Sequence, residues 1–141
     1  MRVTMIGAGY VGLVSGACFA DFGHVVTCVD KDPGKIDRLK EGVMPIFEPG
    51  LAELVATNVE EGRLSFTLEA AEAIKNADAI FIAVGTPSRR GDGHADLSYV
   101  YAAAKEIAEQ EEKLAKATEA QNEAKEQYTP VSYTHLRAHE T

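Results

Sequence analysis

Gly7-Ala8-Gly9-Tyr10-Val11-Gly12 has the spacing G-x-G-x-x-G, a pattern whose chemistry is the holding of phosphate by bare backbone. Each glycine meets a separate demand. Gly7 permits a tight turn, Gly9 lets the chain approach a pyrophosphate, and Gly12 allows a helix to pack close to a strand. A helix starting here turns its free N–H groups and partial positive charge toward the phosphates. Alone the pattern is weak, because glycines at this spacing also make an ordinary turn. Asp30 sharpens it. It lies 18 positions after Gly12 and closes the apolar run Val25–Val29, where an acid about 20 residues on meets the adenosine ribose of a bound dinucleotide. Its carboxylate can accept both ribose hydroxyls and repels a 2′-phosphate, which favours NAD over NADP. Lys31 and Lys35 temper that preference, since a nearby cation tolerates a phosphate.

These residues need strands and helices to position them. Arg2–Ile6 is a β-rich run ending at Gly7. Leu13, Val14, Ala17 and Cys18 recur at helical spacing and predict a first helix over about residues 10–22, stopped by Gly23. Val25–Val29 is a continuous apolar run of strand length, as expected when both faces of a sheet are covered. Asp32 and Pro33 are an N-cap and first-turn proline for a helix that buries Ile36 and Leu39 and ends at Gly42. A third helix carries Leu51, Leu54, Val55 and Val59 and stops at Gly62. A short strand Leu64–Thr67, a short helix over residues 69–76 and a strongly hydrophobic strand over residues 79–84 follow. Asp96 can cap a last helix through Leu97, Val100, Ala104 and Ile107.

Strands alternating with helices at this spacing predict an α/β fold: a Rossmann-type doubly wound parallel sheet with right-handed crossovers, incomplete at about four strands, followed by a polar C-terminal helix. In the order 3-2-1-4 the crevice lies beyond the carboxyl ends of strands 1 and 4. Gly85-Thr86-Pro87-Ser88 therefore faces the glycine loop, and the Thr86 hydroxyl either meets the cofactor or caps local backbone. Arg89 and Arg90 either attract an anionic substrate or are simply solvated, and His94 belongs to the same loop.

Composition narrows the function classes. The 141 residues carry 14 basic and 22 acidic side chains, net −8, with a pI near 5.0, which argues against nucleic acid as a partner. No apolar run reaches membrane-spanning length. A secretory signal over the first 20 residues is opposed by Gly7, Gly9, Gly12 and Gly16 and by a single early positive charge, so a cytoplasmic location is expected. The two cysteines, Cys18 and Cys28, lack CxxC spacing and read as small buried apolar residues. His135 and His139 stand at i, i+4 but have no acidic or thiol partner in register, and no metal is assigned.

All 12 glycines lie between Gly7 and Gly93. Residues 110–127 are instead almost entirely Glu, Lys, Ala and Gln, with Leu114 as the one large apolar side chain. The expected organisation is a cofactor domain over residues 1–109, a polar helical extension over 110–129 ended by Pro130, and an unstructured tail over 130–141. That tail resembles peptides seen where a reading frame runs into adapter sequence, and it is expected to be extraneous.

Met5-Ile6-Gly7-Ala8-Gly9-Tyr10-Val11-Gly12-Leu13-Val14-Ser15-Gly16-Ala17-Cys18-Phe19-Ala20 resembles the opening of the UDP-glucose 6-dehydrogenases. Val29-Asp30, Ile46-Phe47-Glu48-Pro49-Gly50-Leu51, Phe81-Ile82-Ala83-Val84-Gly85-Thr86-Pro87-Ser88 and Gly93-His94-Ala95-Asp96-Leu97-Ser98-Tyr99-Val100 match in the same order, over residues 1–109. The GDP-mannose and UDP-N-acetylmannosamine dehydrogenases share this outline. The resemblance implies an enzyme that oxidises a sugar C6 alcohol to a carboxylate in two NAD-dependent steps, through a covalent thiol adduct. It implies NAD contacts at Gly7, Gly9, Tyr10, Val11, Gly12, Asp30, Lys35 and Thr86. The family's nucleophilic cysteine and substrate domain belong to a later part with no counterpart here. No catalytic residue is assigned, and the chain alone is expected to be inactive. UDP-glucose is the implied substrate of a homo-oligomeric parent. The alternatives are part of a related GDP-mannose or UDP-N-acetylmannosamine dehydrogenase or a stand-alone NAD-binding module. The open edge of the fourth strand is expected to favour self-association.

Overall fold

The computed structural model describes the backbone of residues 1–140 and the side chains of residues 1–127. β1 (Arg2–Ile6) runs into Gly7, whose φ of 108° turns the chain into α1 (Tyr10–Asp21). β2 (Val25–Val29) leads to α2 (Pro33–Lys40), which opens with the Asp32 carboxylate accepting the Lys35 N–H and with Pro33 in its first turn. Then come α3 (Leu51–Glu60), β3 (Leu64–Thr67), α4 (Ala70–Lys75), β4 (Ala79–Ile82) and α5 (Ser98–Glu140). The four strands pair in parallel in the order β3-β2-β1-β4, the doubly wound arrangement the sequence predicts.

Alternation along the strands divides the core in two. Val3, Met5, Val26, Cys28, Leu64 and Phe66 face one way, against Leu13 and Ala17 of α1, Ile36 and Leu39 of α2, and Leu51 and Val55 of α3. Ile6 and Val29 face the other way, against Ala73 and Ile74 of α4 and Ala103 of α5. Thr4 on this second face is buried, and its hydroxyl donates to the Ala73 carbonyl at 2.9 Å.

Several elements differ from expectation. β4 ends at Ile82 rather than at residue 84 because its partner ends first: Ile6 pairs with Ile82, and Gly7 then turns away. In α3 the inward stripe is Leu51, Val55 and Asn58, while Val59 stays exposed. α5 starts at Ser98, whose N–H donates to the Asp96 carboxylate at 2.9 Å. Its residues 111–127 are exposed, and its backbone continues helical past Pro130 to Glu140, where the sequence predicts an end and an unstructured tail. A proline removes one backbone donor and penalises a helix by about 3 kcal/mol without forbidding one, and Ala, Glu, Lys and Gln upstream are strong helix formers. The side chains of His135 and His139, and the extraneous character expected of residues 130–141, lie outside what is described.

Candidate functional site

β1, β2 and β4 end level with one another, Ile6 opposite both Val29 and Ile82. The segments leaving them open onto one cavity of about 670 Å³, with Gly7, Gly9, Asp30, Lys35, Gly85 and Pro87 in its wall. α5 crosses the same opening and adds Tyr99, Ala102, Ala103 and Glu106, while Leu68 and Ala70 close the β3 side.

The glycine turn is shaped by contact. A Cβ on Gly7 would stand 2.5 Å from the Ala83 carbonyl oxygen, and one on Gly12 would stand 1.9 Å from the Gly7 carbonyl oxygen. Neither position admits a side chain unless backbone moves. Gly9 differs: a Cβ there meets nothing within 4 Å, because it faces open space at the cavity. Gly9 is also the N-cap of α1, with no side-chain oxygen bonded to the first turn. The N–H groups of that turn are thus left without a side-chain cap, as an anion site requires. Tyr10 and Val11 place their side chains on the exposed rim, and Gly12 lies buried below. What these three bring to the site is backbone.

Asp30 stands beside this turn and is tied to it. Its Oδ2 accepts the Ala8 N–H at 3.0 Å and the Lys35 ammonium at 2.9 Å, while Oδ1 accepts the Asp32 N–H at 3.0 Å. Partial burial works to raise its pKa. The Ala8 and Asp32 N–H groups and the Lys35 ammonium outweigh that and hold the carboxyl below the ordinary value of 3.8. Three of its roughly four lone-pair sites are already used. Accepting both ribose hydroxyls therefore requires Lys35 to release Oδ2.

Thr86 lies exposed between the two wall residues Gly85 and Pro87, and its side chain is not part of the wall. The following loop closes on itself: the Arg89 N–H donates to the His94 carbonyl and the Asp96 N–H to the Pro87 carbonyl, both at 2.7 Å. This leaves Arg89, Arg90 and His94 exposed and outside the cavity wall. On the rim, the Tyr10 hydroxyl donates to Glu48 Oε2 at 3.2 Å, pinning the loop before α3 to the glycine turn. That hydrogen bond, with the Glu48 charge, raises the Tyr10 pKa.

Neither cysteine reaches the cavity wall. Cys28 is fully buried under the sheet, where burial pushes its thiol up to about 12, and Cys18 is half-buried on α1. Among the described residues no three His, Cys, Asp or Glu side chains are placed to hold a metal. Tyr99, Ala102 and Glu106 escaped the sequence-based assignment. Their spacing puts them on one face of a helix, but nothing local says that this face crosses the cavity.

Residues 1–118 match the family model described as UDP-glucose/GDP-mannose dehydrogenase family, NAD binding domain. The chain is 73% identical over 108 residues to a UDP-glucose 6-dehydrogenase of Rhizobium meliloti (strain 1021), covering 77% of this chain and 25% of the relative. It is 56% identical over 108 residues to the UDP-glucose 6-dehydrogenase TuaD of Bacillus subtilis (strain 168), covering 77% and 23%. The chain thus spans about a quarter of the length of the curated relatives it matches. Among solved structures, a GDP-mannose dehydrogenase from Pseudomonas aeruginosa superposes with a TM-score of 0.73 at 42% identity, covering 76% of this chain and 24% of the other. A UDP-glucose dehydrogenase from Pyrobaculum islandicum also gives 0.73, at 45% identity, covering 77% and 25%. The glycine turn, the acid closing β2 and these likenesses coincide over the same residues: the chain belongs to the UDP-glucose/GDP-mannose dehydrogenase family and carries its NAD-binding domain.

Proposed function

We propose that this chain is the cofactor-binding part of a UDP-glucose 6-dehydrogenase, which converts UDP-glucose, two NAD and water to UDP-glucuronate and two NADH. One juxtaposition carries the proposal: an uncapped, glycine-lined helix start and the Asp30 carboxylate share one cavity. NAD, when bound, supplies the hydride acceptor. The chain's own work is to bind and orient it. Backbone N–H groups of Gly9, Tyr10, Val11 and Gly12 meet the pyrophosphate, and Gly7 sets the turn. Asp30 accepts from the adenosine ribose as Lys35 moves aside to donate there. Thr86 offers a hydroxyl from the β4 side. The 73% identity to a UDP-glucose enzyme favours UDP-glucose. The 42% identity to a GDP-mannose dehydrogenase keeps that sugar nucleotide as the second reading.

No thiol lines the cavity, so the chain by itself is expected to bind NAD without turning over UDP-glucose. Thermal unfolding separates these outcomes. A ligand at 100 times its Kd stabilises the fold by about 2.7 kcal/mol, so the Tm should climb with NAD concentration and stay put with UDP-glucose. A Tm indifferent to millimolar NAD contradicts the proposal.

The same proposal includes a homo-oligomeric parent and a cytoplasmic location, where the free thiols Cys18 and Cys28 suit a reducing compartment. Fractionation of cells expressing the tagged chain checks the location. Among the described residues β4 has a strand neighbour on its β1 side alone, and its Phe81 and Ile82 are 43% and 38% exposed. Such an edge invites a second copy. Sedimentation that stays monomeric at high concentration contradicts that.

A further inference from the structure

Four charged side chains line one side of the cavity, and they stand in two matched pairs. Lys35 Nζ lies 2.9 Å from Asp30 Oδ2, and Lys31 Nζ lies 3.6 Å from Glu106 Oε2. The first pair belongs to the ribose site already described. The second does not. Lys31 is the residue after Asp30, on the way to α2, and Glu106 comes from α5 across the opening.

NADP differs from NAD by a phosphate on the adenosine 2′-oxygen, with a charge of about −1.5 to −2 at neutral pH. Asp30 alone is a blunted filter against that phosphate. Its carboxylate is in direct contact with the Lys35 ammonium, and a second lysine stands next to it in sequence. Two cations beside one carboxylate would make a net positive pocket, which welcomes a phosphate. Glu106 brings the count back to two cations and two carboxylates. It also occupies the more mobile cation, since Lys31 is 82% exposed on a flexible stem and Glu106 is 33% exposed.

We propose that Glu106 is a specificity-determining residue: by pairing with Lys31 it keeps that cation from a 2′-phosphate, so two carboxylates on different elements set the preference for NAD over NADP. This rests on the NAD-binding function proposed above. Exposed pairs are screened by solvent, which limits the effect to roughly three- to fivefold in affinity.

Calorimetric titration of NAD and of NADP into the wild-type chain and into Glu106→Gln, Lys31→Gln, Lys31→Glu and the Glu106→Gln/Lys31→Gln double variant tests it. Glu106→Gln should tighten NADP binding relative to NAD by roughly three- to fivefold at low ionic strength, and the gain should shrink with added salt. The double variant should lose the gain. Lys31→Glu, a change to an exposed side chain, should move the ratio the opposite way and reports even if Glu106→Gln folds poorly. An NAD-to-NADP ratio that stays put in Glu106→Gln or in Lys31→Glu, or a gain that survives in the double variant, overturns the role of Glu106 while leaving NAD binding intact. A wild-type chain that binds neither dinucleotide overturns both.

Discussion

At the amino ends of the strands, Asn58 is fully buried and every polar atom of its side chain is matched within the protein. Its Nδ2 donates to the Leu54 carbonyl at 2.8 Å and to Asp21 Oδ1 at 3.4 Å, while Oδ1 accepts from Arg63 Nε at 3.1 Å. Arg63 Nε also donates to the Ala20 carbonyl at 2.9 Å, and its guanidinium meets Glu61, so α1, α3 and β3 are tied together there. At the carboxyl ends the polar groups are arranged the other way. α1 begins without a side-chain cap, a Cβ direction at Gly9 is empty, and Asp30 Oδ2 is met by the Lys35 ammonium at 2.9 Å at the cavity wall. One end has its hydrogen bonds closed and holds the fold. The other keeps capacity in reserve, and reserve capacity beside a cavity is what a ligand uses.

Damage at the two ends should therefore differ in kind. The largest effect on stability is expected from Asn58→Ala. It removes the buried amide's hydrogen bonds to the Leu54 carbonyl, Asp21 and Arg63 and leaves a cavity between α1, α3 and β3. Urea unfolding should show a loss of about 2–3 kcal/mol, while the folded fraction keeps its NAD affinity. A loss below about 0.5 kcal/mol, typical of surface substitutions, would erase the contrast.

Acid gives a smaller effect, confined to the carboxyl end. Asp30 is held below its ordinary pKa in the fold, so its contribution to stability is complete above the ordinary value of 3.8 and fades as pH falls through the lower folded value. Unfolding free energy measured from pH 6 downward should therefore decline in that acid window, and Asp30→Asn should flatten this part of the curve. An identical pH curve for the variant would contradict the assigned hydrogen bonds.

The carboxyl end of the sheet is more legible in the sequence than the amino end. Gly7, Gly12 and Asp30 were legible because each obeys a local rule: a left-handed turn, a close approach and an acid at a strand end. The sheet order followed from the alternation of strands and helices. Asn58 was not legible, because periodicity placed Val59 inward and only the positions of Asp21 and Arg63 make a buried amide acceptable. The end of β4 is not legible for a related reason: its length is set by where β1 stops, not by its own apolar run. Glu106 was invisible because its contact with Lys31 depends on where α5 crosses. Local chemistry is written in neighbouring residues, while closure from a distant element is written only in the fold.

The central claim is that the crevice at the carboxyl ends of β1, β2 and β4 holds NAD with Asp30 on its ribose. Calorimetric titration of NAD into the wild-type chain and into Asp30→Asn tests it most directly. The account predicts saturable one-site binding in the wild type and a Kd raised about tenfold or more in the variant, since a charged hydrogen-bond acceptor contributes about 1.5–3 kcal/mol, with cooperative unfolding retained. Equal affinity in the two proteins, or no binding by the wild type, would contradict it.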